Sequence, residues 1–187
     1  MCGIAGLIHR GKSSNVGEEL QHMLQALKHR GPDSTGYALY ADNDGQNFIL
    51  RFKVGENVGE GSTSVNEDES VYNERKKAVD KKLSELGALV VKEEKLTPYS
   101  YRYEIKFDKD LMEFSKAIES IQSVEILSIG KSLELIKDLG DATVVSERYG
   151  LSKVQGTHGI GHARMATESG VDIKSAHPFW GYPFADV

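Results

Sequence analysis

The 187-residue chain has a single cysteine, four prolines and one tryptophan. One cysteine excludes an internal disulfide framework and a cysteine-rich zinc site. No stretch approaches the roughly 20 consecutive apolar residues that span a bilayer. The apolar opening, residues 4–8, is too short for a secretory signal core, and His9 and Arg10 stand on its wrong side. The chain therefore reads as cytoplasmic, with no membrane partner. Positive charge is in deficit: 23 Lys and Arg against 28 Asp and Glu leave a formal net charge of −5. That excludes a generally basic nucleic-acid binder. What is present is a globular composition, 39% apolar and 27% charged, in a chain long enough to bury a sizeable core.

Changes of texture divide the chain near residues 58 and 150. Residues 2–8 are a small, glycine-rich apolar strand. Residues 18–28 form an amphipathic helix, with Leu20, Met23, Leu24 and Leu27 at helical spacing, stopped by Gly31 and Pro32. Strands at 37–40 and 47–54 flank the turn Asp42-Asn43-Asp44-Gly45. Residues 55–70, rich in Gly, Ser, Asn and Glu, read as a mobile loop. The pattern then predicts a helix over 72–86 with Ala78, Val79, Leu83 and Leu86 inward, and strands over 88–92 and 100–107. A helix over 110–121, capped by Asp108 or Asp110, a strand over 124–129 and a short helix over 132–139 complete this part. The α-β-β-α-β order resembles part of a split β-α-β, ferredoxin-like sandwich, and a subdomain is expected over 59–150. A small-residue strand over 157–164 and an aromatic loop over 176–184 return to the first texture.

Several residues carry possible chemistry. Cys2 is a nucleophile candidate: removal of Met1 would place an α-amine of pKa about 7.7–8.0 on the residue that bears the thiol. The other reading is a buried, inert cysteine. Arg164, at the end of a small-residue strand, suits a two-pronged grip on a carboxylate, with Thr167 adding a hydroxyl; the alternative is a surface salt bridge. Arg30 could hold the N-terminal residue, pair with Asp33, or do both. His158 and His162 are four apart, but Gly159 and Gly161 argue against a helix and no further ligand follows at metal spacing. Gly159 and Gly161 are too poorly placed for a phosphate loop.

These pieces occur together in one pattern. Met1-Cys2-Gly3-Ile4-Ala5-Gly6, His29-Arg30-Gly31-Pro32-Asp33-Ser34-Thr35-Gly36, Gly161-His162-Ala163-Arg164-Met165-Ala166-Thr167 and His177-Pro178 appear in that order. Together they resemble the class II glutamine amidotransferase domain of the N-terminal nucleophile hydrolases. Met165-Ala166-Thr167-Glu168-Ser169 and Lys137-Asp138-Leu139-Gly140 resemble the stand-alone subunits related to glutamate synthase. The resemblance implies an α+β fold: an αββα sandwich, its first part at 1–58 and its continuation at 151–187, around a ferredoxin-like insertion at 59–150. It implies glutamine as substrate, with Cys2 and Arg30 catalytic, Arg164, Met165 and Thr167 binding substrate, and Gly3 and His177 structural near the site. It implies no cofactor and no metal in this chain. It also implies a synthase partner, a flavin-containing chain that uses the ammonia on an acceptor such as 2-oxoglutarate.

There are two departures. Arg164 lies far from Asp33, which is where the insertion falls. The family's oxyanion Asn-Gly pair does not follow His177-Pro178 before Val187, and the family's acidic residue that holds the substrate's amino group is expected to be missing. Residues 151–187 are therefore expected to be cut short and completed by a C-terminal remainder or a second chain. The competing reading is a non-catalytic module that binds a partner or effector through a degenerate amidotransferase fold. A third is another N-terminal nucleophile amide hydrolysis, which Arg164 disfavours because its grip suits a free α-carboxylate.

Overall fold

Glycine and alanine alternating with apolar residues give the first strand, β1 (Gly3–Ile8), an exact every-other-residue burial at its start. Then come α1 (Val16–Ala26), a 3₁₀ turn (Lys28–Arg30), β2 (Ser34–Ala41), β3 (Phe48–Lys53), α2 (Glu69–Leu86), β4 (Leu89–Thr97) and β5 (Ser100–Lys106). The series closes with α3 (Leu111–Glu119), β6 (Glu125–Gly130), β7 (Leu133–Leu139), α4 (Ala142–Tyr149), a second 3₁₀ turn (Leu151–Lys153) and β8 (Gly156–Arg164). This computed structural model describes residues 2–31, 33–56, 67–165, 173 and 175–187. Among them it is a mixed α+β structure with two antiparallel four-stranded sheets and four α-helices. They fall into two units. One uses residues up to Asp42 and from Glu134 to Phe179; the other uses Asn43–Glu56, residues 67–133 and Trp180–Val187. The change of unit thus falls at 42/43 and 133/134, ahead of the texture changes at 58 and 150.

The first unit holds the sheet β1-β8-β2-β7. Val16, Leu20 and Leu24 of α1 are fully buried, as are Tyr37 and Leu39 of β2. A side chain at Gly161 would meet Leu24, so the odd-numbered residues of β8 face α1. The opposite face carries Ile4, Ile8 and Ile160, all largely exposed. Met23, expected inward, is 39% exposed because the buried stripe runs through Val16, Leu20 and Leu24 instead. The helix expected at 132–139 is the strand β7. All seven of its residues are buried, so period-2 alternation is absent and the spacing mimics a helix. Helix α4 was not expected; Asp141 starts it by accepting from the amides of Thr143 and Val144 at 3.0 and 3.1 Å.

The second unit holds the sheet β4-β5-β3-β6. β3 does not form a hairpin with β2; it pairs antiparallel with both β5 and β6. The Asp42-Asn43-Asp44-Gly45 turn therefore leads from one sheet to the other. With β3 counted, the order β-α-β-β-α-β and this strand order form two interleaved split β-α-β units. The core is aromatic: Phe52 stacks on Tyr101 with ring centres 5.4 Å apart and meets Tyr103 edge-on at 5.0 Å. Asp110, not Asp108, caps α3, accepting from Glu113 N–H at 2.9 Å. The loop expected at 55–70 lies outside the described residues from 57 to 66, and α2 begins at Glu69.

Asp186 fastens residues 180–187 to this unit. Its carboxylate accepts from the amides of Lys131, Ser132 and Leu133 at 3.0, 2.8 and 2.7 Å, and from Ser132 Oγ at 3.0 Å. Burial acts to raise its pKa, but these donors prevail and hold it below the ordinary carboxylate value of 3.8. A depressed carboxyl stabilises the fold above its unfolded pKa, and that contribution is lost as pH falls through its folded value. Asp186→Asn, which tolerates the local φ of 59°, is expected to lower stability by about 1 kcal/mol at pH 7. Urea melts of both proteins should converge as the pH is taken below 3.8.

Candidate active site

Three strands build the site by register. β1 pairs with β8 as Gly3↔Ala163 and Ile4↔His162. β2 pairs with the other edge of β8 as Ser34↔Arg164 and Gly36↔His162. Continued by one residue, the first ladder sets Cys2 level with Arg164. Alternation then puts Cys2, Ile4, His162, Arg164, Ser34 and Gly36 on one face of the sheet, away from α1.

The thiol of Cys2 is free and exposed, so it is not an inert core cysteine. Arg164 is only 8% exposed, which sets aside the surface salt bridge. Arg30 ends the 3₁₀ turn beside β1: a Cβ on Gly3 would stand 3.4 Å from the Cβ of Arg30. The amide of Asp33 donates to the carbonyl of Arg164 at 3.1 Å, tying the turn that carries Arg30 to the end of β8. Met165 follows β8 and is half-buried; Thr167 lies outside the described residues.

His177 joins the same face. Its ring meets that of His162 edge-on at 4.9 Å and that of Phe179 at 4.7 Å. Lys137 Nζ lies 4.7 Å above the centre of Phe179. Burial pushes the pKa of His162 below its ordinary 6.5, and the neighbouring charges of His177 and Arg164 add to this. Burial thus favours the neutral imidazole of His162. His158 has a different setting, stacked on Tyr40 at 4.0 Å with Nδ1 2.9 Å from Thr157 Oγ1. Among the described residues no group of three or more His, Cys, Asp or Glu side chains is placed to hold a metal ion.

Sequence reasoning weighed His162 only against a metal-ligand role and quoted Ser34 only within a motif; it did not place either as polar lining next to Arg164. Ser34 Oγ and His162 Nδ1 are buried without a hydrogen-bond partner, an arrangement that is uncommon away from functional sites. No periodicity marks them. Gly36 stood in a quoted motif without a role; a Cβ there would stand 1.9 Å from the carbonyl oxygen of His177. A glycine inside a strand is the signal for such close backbone approach. Gly36→Ala is expected to force His177 off β2 at a cost of about 1–3 kcal/mol. A lower thermal midpoint, with loss of the His162–His177 ring contact in NMR spectra, is the measurement that checks it.

With this geometry in place, comparison with known proteins is informative. Residues 1–48 match the glutamine amidotransferase domain family. The whole chain aligns at 34% identity with 59% of a protein from Methanothermobacter thermautotrophicus, named provisionally as a glutamine amidotransferase. Over 96% of its length it is 30% identical to the glutamine amidotransferase-like protein GlxB of Rhizobium meliloti, covering 54% of that protein. A 56-residue stretch is 36% identical to part of glutamine–fructose-6-phosphate aminotransferase from Pyrobaculum aerophilum, 9% of that protein. The chain spans between half and two thirds of the first two relatives. It carries a glutamine amidotransferase domain signature in its first 48 residues and is similar along its length to glutamine amidotransferase-like proteins.

Proposed function

We propose that the chain is the glutaminase part of a class II, N-terminal nucleophile amidotransferase. The observation that carries this reading is the register that sets the exposed thiol of Cys2 level with the guanidinium-bearing end of β8. With Met1 removed, the α-amine on Cys2 takes the thiol proton through a water. The sulfur bonds to the side-chain amide carbon of glutamine, the C–N bond breaks, and the nitrogen leaves as ammonia with the proton returned by the α-ammonium. Water then attacks the γ-glutamyl thioester, releasing glutamate and restoring the thiol. Arg164 grips the substrate's α-carboxylate by paired hydrogen bonds, and Met165 and Thr167 are assigned further substrate contacts by the resemblance. Arg30 orders the surroundings of the nucleophile next to Gly3, and His177 buttresses the site through His162.

The wider parts of the proposal follow the same resemblance. The largely exposed Ile4, Ile8 and Ile160 support an αββα sandwich, because an apolar sheet face calls for a second layer. The second unit interrupts the first between Asp42 and Glu134, which supports its origin as an insertion. The ammonia is proposed to pass to a flavin-containing, glutamate-synthase-like partner. Among the described residues no helix is long and apolar enough to cross a membrane.

Ammonia release from glutamine by the full-length, processed protein tests the reading. Cys2→Ala is expected to abolish release. Arg164→Lys, which loses the planar fork, is expected to raise KM by about tenfold or more. Undiminished turnover by Cys2→Ala overturns the mechanism, and no release by the intact protein favours a non-catalytic binding module.

A further inference from the structure

The Lys137-Asp138-Leu139-Gly140 stretch has no part in the chemistry above, yet it is tied at several points within the first unit. Asp138 is fully buried on β7. Its Oδ2 accepts from Arg148 Nη1 at 2.7 Å and from the hydroxyl of Tyr149 at 3.1 Å, and its Oδ1 accepts from Leu139 N–H at 2.7 Å. A buried carboxylate persists only with such compensation, and here it fastens the last turn of α4 to β7. The first turn of α4 is fastened as well, because Asp141 both caps it and pairs with Lys28 Nζ at 2.9 Å. Gly140 sits between these two anchors at φ 111°, a conformation other residues rarely adopt.

The corner so fixed presents one backbone group of Gly140 to Asp33, in the turn after the 3₁₀ helix, and the other to Thr35, at the start of β2. Its N–H donates to Asp33 O at 3.0 Å, and its carbonyl accepts from Thr35 Oγ1 at 2.8 Å. The amide of Asp33 in turn donates to Arg164 O at 3.1 Å. We infer that the Asp138–Arg148 pair is a positioning device for Arg164, acting through the corner at Gly140 and the backbone of Asp33. This rests on the reading of Arg164 as the grip on the glutamine carboxylate. Asp138 and Arg148 touch no substrate; they fix where the strand that carries the guanidinium ends. Misplacement by about 1 Å is enough to cost about 10² in rate or affinity at such a group.

The test is Asp138→Asn in the full-length, processed protein. Asparagine keeps the shape and the acceptor for Leu139 but removes the charge that holds Arg148. KM for glutamine is expected to rise about tenfold, the loss of a charge-assisted contact, with kcat within about twofold. Alkylation of Cys2 by 6-diazo-5-oxonorleucine, which carries the α-carboxylate, should slow in parallel. Alkylation by iodoacetamide, which lacks it, should keep its wild-type rate. Hydrogen exchange at the amides of Asp33 and Gly140 should quicken. An unchanged KM, a loss confined to kcat, or wild-type exchange at both amides overturns the inference. If the wild type neither hydrolyses glutamine nor takes the diazo reagent, the reading of the site falls, and exchange at the two amides still decides the relay. Thr35→Val, which removes one bond at the same corner, is read in the same way should Asp138→Asn fail to fold.

Discussion

The arrangement depends on one strand, β8, lying between two others that are far from it in the chain. β1 and β2 each pair with β8 and not with each other. Hydrogen bonding on both edges fixes β8 in register to the residue, because a slip by one would turn His162 and Arg164 to the α1 side. The site follows directly: residues near 2, 34 and 164 share one end of one face although the chain between them is long. Gly161 keeps the α1 side flat enough for Leu24. The opposite side is left for the thiol, the guanidinium and the two histidines.

Backbone contacts tie together the segments that build the site. Asp33 N–H reaches Arg164 O, Gly140 N–H reaches Asp33 O, and the carbonyl of His177 lies against the bare Cα of Gly36. Such contacts are blind to side-chain identity except where a Cβ would intrude. This explains why glycines crowd the motifs that sequence reasoning picked out. The second unit differs: its interior is built from side chains, Phe52, Tyr101 and Tyr103. It even carries a lysine, Lys53, only 3% exposed and paired with Glu56 and Glu125 at 2.6 and 3.0 Å.

Much of this could be read in the amino acids. The α-β-β-α-β run and the small-residue strands at both ends carry local signals: capping aspartates, alternation, and glycine and proline stops. The candidates Cys2, Arg30 and Arg164 were picked on their positions and chemistry instead. The misreadings share a cause. β7 looked helical because burial on both faces erases the alternation that identifies a strand. β3 looked like the second half of a hairpin because the turn before it has hairpin chemistry, while its partners β5 and β6 lie up to 81 residues on. Ser34, Gly36 and His162 acquire their roles from neighbours distant in sequence, and nothing local announces them. Thr167 belongs to the stretch outside the described residues.

The pairing of β1 has a consequence during synthesis. Among the described residues its one neighbour in the sheet is β8, so β1 stays without that mate until residue 164 has emerged. All four strands of the second sheet are translated in the meantime and can close among themselves. The nascent chain therefore holds an unsatisfied apolar segment at β1 while the residues up to 164 are added, a situation in which nascent-chain chaperones are needed. The thiol at position 2 is accessible to processing enzymes throughout that interval, before the sheet that gives it a chemical setting exists.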